Sequence, residues 1–83
     1  SDGTLNAEDI LVEDQISRDI QKLIQELPED QKEVLIMRSY RDMSFKEISE
    51  NTRVSINTAL GRMRYAIINL RKLIDEHKIV LEA

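Results

Sequence analysis

The basic residues in the second half of the chain are grouped in a way that suits an anionic polymer. No Asp or Glu occurs between residues 51 and 74, and this stretch carries the cations Arg53, Arg62, Arg64, Arg71 and Lys72. The whole chain has a formal net charge of −4, so the local excess of positive charge indicates an anionic partner. Because the same stretch has the pattern of two helices joined by a tight turn, we expect a helix–turn–helix that binds duplex DNA.

Charge is divided unequally between the two parts of the chain. Residues 1–36 contain ten acidic and three basic residues, whereas residues 37–83 contain six acidic and nine basic residues. The first part therefore repels a polyanion and the second part attracts it. This division predicts DNA binding that is weak for the domain alone and is assisted by another protein.

Composition argues against several other function classes. Eighty-three residues, 41% hydrophobic and 34% charged, suit one small helical domain. There is no Cys and His77 is the single histidine, so neither a disulfide nor a metal centre is expected. The sequence has no nucleophile–base arrangement, no glycine-rich phosphate loop and no apolar run of membrane-spanning length. We expect no enzyme, no cofactor and a cytoplasmic location.

Two serines mark the helix starts inside the basic segment. Ser44 is followed by Glu47 in the pattern of a capping box, and Ser55 precedes the long basic helix. The turn is expected at about residues 52–55 and the whole helix–turn–helix at about residues 44–66. The sequence therefore predicts a third, short helix and a fourth helix that extends to about residue 77.

Two further helices are expected before this segment. Asn6 is a candidate N-cap for a helix over about residues 7–26, which Pro28 ends because its ring blocks continuation. A second helix is expected over about residues 29–41, with Pro28 in its first turn. The predicted fold class is all-α, a small four-helix domain of the winged-helix-like type without a wing.

The domain is expected to cover residues 7–78. Residues 1–6 have the composition of a linker end or a cloning scar, and residues 79–83 are expected to form a C-terminal tail.

The fourth helix has two unlike faces when its residues are placed at intervals of about 100°. The face expected to pack inward is the apolar stripe of Ile56, Ala59, Met63, Ala66, Ile67, Leu70 and Ile74. The opposite face consists of Asn57, Gly61, Tyr65, Ile68 and Lys72, flanked by Thr58, Arg62 and Asn69 on one side and by Arg64 and Arg71 on the other. Such a helix suits a DNA groove.

Several outward residues match particular groups of DNA. Phosphates are bound by charge and by amide groups at a helix start, which makes candidates of Ser55, Asn57, Thr58 and Arg62. The planar guanidinium of Arg64 matches the O6 and N7 acceptors of guanine. An equally simple interpretation is that these side chains are only solvated, as on any amphipathic surface helix.

Gly61 and Tyr65 have two interpretations each. A glycine inside a helix costs about 1 kcal/mol relative to alanine, and at Gly61 it would let the backbone approach DNA closely. The alternative is that a weak position simply tolerates it. Tyr65 could contact a sugar or a thymine methyl group, or it could cover a neighbouring helix.

Four segments, in order, resemble region 4 of bacterial sigma factors. They are residues 27–38, which begin with Leu27-Pro28, and residues 43–49, 54–58 and 62–66. The similarity is closest to the extracytoplasmic-function (ECF) class of the sigma-70 family. It implies a monomeric four-helix domain that reads the promoter −35 element as part of RNA polymerase holoenzyme. It also implies docking on the flap of the polymerase β subunit and masking by an anti-sigma factor.

The resemblance also assigns roles by position. The residues it places at the base-reading face are Leu60, Gly61, Arg64 and Tyr65. Those it places at or near phosphates are Thr58, Arg62, Ser55 and Asn57, and the predicted DNA-binding set also includes Lys46 and Arg53. Arg53 stands where the family usually has glycine, so the turn must avoid a left-handed residue or strain one. Leu60 and Gly61 replace commonly basic or small polar residues, which leaves the target sequence open.

Two other functions stay open at this point. A helix–turn–helix regulator of the response-regulator output type shares the capped third helix, and it would dimerise through Ile68 together with Ile79-Val80-Leu81 and bind a symmetric site. A protein-interaction module would use the acidic first half to bind a partner, with DNA binding incidental. The Leu27-Pro28 start and the segment 62–66 favour the sigma-factor interpretation.

Overall fold

The computed structural model of the protein describes residues 7–77, without the side chains of residues 10 and 11. Its elements are α1 (Ala7–Ile24), α2 (Glu29–Ser39), α3 (Phe45–Thr52) and α4 (Ile56–Glu76). This part of the chain is all-α, as predicted, and α3, the turn and α4 form the helix–turn–helix. None of the described helices is long and apolar enough to cross a membrane. The candidate cap Asn6 and the predicted tail lie outside the described residues.

Pro28 separates α1 from α2, as its position in the sequence predicts. α1 ends at Ile24, slightly before the predicted end near residue 26. The chain tightens there because Leu27 donates its amide N–H to the carbonyl oxygen of Ile24 at 3.1 Å. Leu27 is buried as a result. Pro28 occupies the N-cap of α2 rather than its first turn, and its carbonyl oxygen accepts the amide N–H of Lys32 at 2.9 Å.

Arg38 joins the end of α2 to the start of α3. α2 ends at Ser39, near the predicted end, and the chain reverses at Asp42, which has a φ of 53°. Arg38 donates Nη1–H to the carbonyl oxygen of Met43 at 2.9 Å, and its guanidinium lies 5.1 Å from the centre of the Phe45 ring. These two contacts hold the start of α3 beside α2.

α4 is the central helix of the packing and contacts α1, α2 and α3. One buried cluster, between α1, α2 and α4, contains Ile24, Leu27, Leu35 and Ala66. A second cluster, between α2, α3 and α4, contains Val34, Met37, Ile48 and Ala59. Met63 packs against both clusters. The core therefore fixes α4 along much of its length and sets which of its faces points outward.

The inner face of α4 differs from the predicted apolar stripe. Ala59 and Ala66 are fully buried, and Leu73, which the stripe did not include, packs against the first cluster. Ile56 and Ile67, which the stripe did include, are 45% and 37% exposed. The prediction was wrong for these two isoleucines because the helix packs through its two small alanines, which allow close approach, and this turns the isoleucines toward the edge of the contact.

Candidate nucleic-acid interface

The start of α3 is closed by its own side chains. The hydroxyl oxygen of Ser44 accepts the amide N–H of Glu47 at 3.1 Å, and the Glu47 carboxylate accepts the amide N–H of Ser44 at 2.8 Å. This is the predicted capping box. The hydrogen bond from the Ser44 amide, helped by the one involving its hydroxyl, holds the pKa of Glu47 below its ordinary value of 4.5. The positive end of α3 is thus occupied by a carboxylate.

The turn between α3 and α4 has a strained residue at its centre. Arg53 has a φ of 59° and a ψ of 42°, which is the left-handed region. Its amide N–H and that of Val54 both reach the carbonyl oxygen of Ser49, which closes the end of α3. A residue with a Cβ atom pays about 1 kcal/mol or more for this conformation. The turn therefore strains Arg53, the second of the two alternatives that the sequence left open.

The start of α4 is capped but carries no acidic residue. The Ser55 hydroxyl oxygen accepts the amide N–H of Thr58 at 3.0 Å and donates its own hydrogen to Thr58 Oγ1 at 3.0 Å. The first turn of α4 contains no Asp or Glu. Because the first amide groups of a helix have no carbonyl partner inside it, this end retains its positive potential and free donors. It has the properties of an anion-binding end.

The outward face of α4 carries the side chains predicted to read bases. Tyr65 is 59% exposed and Leu60 is 44% exposed, and Asn57 and Arg64 are exposed as well. A Cβ atom added at Gly61 would meet nothing within 4 Å, so Gly61 lies in an open part of this face. The predicted base-reading residues thus share one accessible surface over the first three turns of α4.

Arg62 is oriented differently from the other predicted DNA ligands. Its side chain is 28% exposed, and its Nε lies 3.6 Å from Oδ2 of Asp30 at the start of α2. α2 and α4 are also joined by the hydrogen bond from Asn69 Nδ2 to Gln31 Oε1 at 2.8 Å. Arg62 therefore belongs partly to the α2–α4 contact, and any phosphate at this point would share its guanidinium with Asp30.

The other basic side chains of the region are exposed to solvent. Lys46 in the first turn of α3, Arg53 in the turn, and Arg64, Arg71 and Lys72 on α4 are exposed. None of these five forms an ion pair with another residue in the described range 7–77. Since a neighbouring carboxylate does not neutralise them, they retain their charge for an external anion. The described range also contains no cluster of three or more His, Cys, Asp and Glu that suits a metal ion.

Three residues that position the interface were not predicted from sequence. Arg38 with Phe45 sets α3 against α2, and Gln31 sets α2 against α4. The partners are separated along the chain, Gln31 and Asn69 by 38 positions, and no periodic pattern links them. Only the packed structure brings these groups together.

Comparison with known protein families gives one match. The model for the family described as sigma-70, region 4 matches residues 17–64. The match covers more than half of the chain and includes α2, α3 and the first half of α4. No curated protein and no solved structure matches the chain significantly.

Proposed function

Because the chain belongs to the sigma-70 region 4 family, whose members are DNA-binding domains of sigma factors, we propose that it recognises the promoter −35 element for an ECF-type sigma factor. Sigma factors act in promoter recognition together with RNA polymerase, and this family is not an enzyme family. The small four-helix domain, with no further element between residues 7 and 77, suits the ECF class. The observation that carries the proposal is the accessible face of α4, whose positive end is capped by a serine and has no acidic residue in its first turn.

The DNA-binding residues divide into two groups in this proposal. Phosphates are bound at the start of α4 by Ser55, Asn57 and Thr58 and by nearby basic side chains, and base edges are read from the following two turns. The assignment of the phosphate-binding residues is supported by the absence of Asp and Glu from the first turn of α4. The assignment of the base-reading residues is supported by the exposure of side chains such as Leu60 and Tyr65 on α4. The phosphate-binding residues are then Lys46, Arg53, Ser55, Asn57, Thr58 and Arg62, and the base-reading residues are Leu60, Gly61, Arg64 and Tyr65.

The acidic helices α1 and α2 suit a protein partner rather than DNA. α1 and α2 carry eight of the sixteen acidic residues, so they would be repelled by DNA and would orient the domain with α4 toward the duplex. Two pockets that share Tyr40 lie on this part of the surface, one lined also by Ile24, Ile36, Gln21 and Gln25, and the other by Ile16, Ile20, Glu13 and Ser17. An amphipathic helix of a partner could place its apolar side chains against the isoleucines of these pockets. The proposal includes docking of core RNA polymerase, through the flap of its β subunit, at this surface.

Regulation and context complete the proposal. An anti-sigma factor is expected to cover the α4 face and so prevent promoter binding. The domain would extend over residues 7–78 and act as a monomer within the holoenzyme. Since bacterial transcription takes place in the cytoplasm, that is where the protein is proposed to act.

A dimeric helix–turn–helix regulator is the second candidate function. The observation that favours it is the pair of exposed isoleucines on α4, Ile67 at 37% and Ile68 at 38%. Two copies in contact through these residues would bind a palindromic site. The family match favours the sigma-factor function over this one.

Two arginine variants test the proposed division of roles. Arg64→Ala should weaken binding to the preferred duplex by about 1–3 kcal/mol and relax the preference at one base pair, because a bidentate base contact is lost. Arg62→Ala should weaken binding equally on all duplexes and lower the salt dependence by about one charge. The measurement is fluorescence anisotropy with labelled duplexes at several salt concentrations.

Lys22→Ala is the matched control, since it removes an exposed cation from α1, and it should leave affinity nearly unchanged. Equal losses for Arg62→Ala and Arg64→Ala on every sequence would contradict the division of roles. Unchanged affinity in both variants would contradict DNA recognition by α4 and would favour a protein-interaction module.

A further inference from the structure

Leu60 is exposed at a place where the core does not require an apolar residue. It lies in the second turn of α4, directly after the fully buried Ala59, and is 44% exposed. Ile56, one helical turn earlier, is 45% exposed. Residues four apart lie on one side of a helix, so these two side chains form a small apolar strip beside the otherwise polar outward face.

The neighbours of Leu60 on the helix surface define its chemical setting. Asn57 precedes it by three positions and Arg64 follows it by four, and both are exposed. At these spacings side chains on a helix are adjacent. If Arg64 points into a DNA groove and contacts a base pair, Leu60 would therefore lie within about one base pair of that contact.

The major groove offers one apolar group, the 5-methyl group of thymine. We propose that Leu60 contacts the 5-methyl group of a thymine in the base pair next to the one read by Arg64, and that this chain prefers thymine at that position. The inference rests on the proposed DNA-binding function and names the chemical group that Leu60, one of the proposed base-reading residues, would recognise. The feature that carries it is the position of the apolar strip of Ile56 and Leu60, which lies on the same side of α4 as the exposed Arg64.

Deoxyuridine provides the test, since it lacks the 5-methyl group but keeps every hydrogen-bonding group of thymine. Duplexes enriched by this chain from a random pool are prepared with each thymine in turn replaced by deoxyuridine, and affinities are measured by anisotropy at low salt. One position should lose about 4-fold in affinity, as expected for one methyl group no longer buried. In the Leu60→Ala variant the thymine and deoxyuridine duplexes should bind equally.

Ile68→Ala is the matched control. Ile68 is exposed to a similar extent, 38%, but lies two turns further along α4, so the ratio between thymine and deoxyuridine should stay at the wild-type value. Circular dichroism checks that both variants keep their helix content, which is expected because both side chains are exposed.

The outcomes separate this inference from the function on which it rests. If the chain binds its selected duplexes but no thymine position responds to deoxyuridine, the inference is overturned and the proposed function stands. A ratio that persists in Leu60→Ala also overturns it, because another side chain then contacts the methyl group. If no duplex binds, even with core RNA polymerase added, the inference and the proposed function both fail.

Discussion

The two helices of the helix–turn–helix both begin with a serine cap, and they differ in the residue three positions after that serine. α3 is capped by Ser44 and α4 by Ser55, and each serine hydroxyl accepts the amide N–H of the residue three positions later. That residue is Glu47 in α3 and Thr58 in α4. The carboxylate of Glu47 returns to the Ser44 amide and occupies the positive end of α3. Thr58 brings a hydroxyl and no charge, so the end of α4 is left for an external anion.

This difference gives the two helix starts different roles: the start of α3 stabilises the fold, and the start of α4 is free to bind an anion. At the start of α3 the cap and Phe45 act within the domain, since the capping box is reciprocal and Phe45 lies against Arg38. At α4 the cap fixes the backbone, and the side chains that follow it are exposed. A full capping box at α4 would stabilise the fold slightly more, but it would place a carboxylate where the proposed function needs a phosphate.

The largest effect is expected from Thr58→Glu. The new carboxylate would complete a capping box at α4 and stabilise the domain by a few tenths of a kcal/mol. DNA affinity should fall at least about 10-fold, because the carboxylate repels the phosphate and occupies the free donors. Anisotropy with duplex DNA and urea unfolding measure the two effects.

Gln21→Glu adds the same charge on an exposed position of α1 and serves as the control, with affinity expected within about 2-fold of wild type. If Thr58→Glu binds DNA as well as this control, the start of α4 does not lie at a phosphate.

The two cap serines should separate stability from binding. Ser44→Ala should destabilise the domain by about 1 kcal/mol, because it removes half of the capping box, and should leave the DNA affinity of the folded protein unchanged. Ser55→Ala should also destabilise the domain and should in addition weaken DNA binding. Urea unfolding and anisotropy, both under conditions where the variants are folded, check this. Equal losses of affinity in the two variants would contradict the claim that only the start of α4 binds DNA.

Arg53→Gly should raise stability and lower affinity. Glycine adopts the left-handed conformation without strain, so a gain of about 0.5–1 kcal/mol is expected after its greater unfolded-state entropy is taken into account. Affinity should fall by a few-fold because a free cation near the start of α4 is lost. The comparison variant is Asp42→Gly in the other left-handed turn, where a smaller gain is expected because aspartate tolerates this conformation better. A fall in stability for Arg53→Gly would contradict the strain argument.

The smallest effect concerns pH and Glu47. Since folding lowers the pKa of this carboxyl below 4.5, its contribution to stability is fully present above about pH 4.5 and is lost as pH falls through the lower value of the folded state. Glu47→Gln keeps a capping acceptor but does not titrate. The stability difference between wild type and Glu47→Gln should therefore shrink between neutral pH and pH 3 in urea titrations. A difference that stays constant would contradict the assigned cause.

Local features of the site could be predicted from sequence and distant ones could not. The caps at Ser44 and Ser55 depend on neighbouring residues only, and both predictions are confirmed. The inner face of α4 was predicted with Ile56 and Ile67 included, because a helical wheel gives residue type and angle but not the direction of the packed neighbours. The contact of Arg62 with Asp30 joins two helices that are far apart in the chain, so no local pattern shows it.

The strain at Arg53 lies between these cases. The sequence left two possibilities for the turn, because Arg53 stands where glycine was expected: the turn either avoids a left-handed residue or strains one. Choosing between them required the backbone, which takes a φ of 59° at Arg53, where only two residues separate the end of α3 from the cap of α4. The DNA-reading roles of Leu60, Gly61, Arg64 and Tyr65 remain predictions, now supported by their exposure on one face.

The measurement that tests the central claim most directly is a binding-site selection. Random duplexes are bound by this chain at low salt, with and without core RNA polymerase, and the recovered duplexes are sequenced, with Thr58→Glu as the parallel sample. We expect one short asymmetric motif for the wild-type chain and none for Thr58→Glu. A palindromic motif would contradict this expectation in favour of a dimeric regulator, and no enrichment under either condition would contradict DNA recognition by α4.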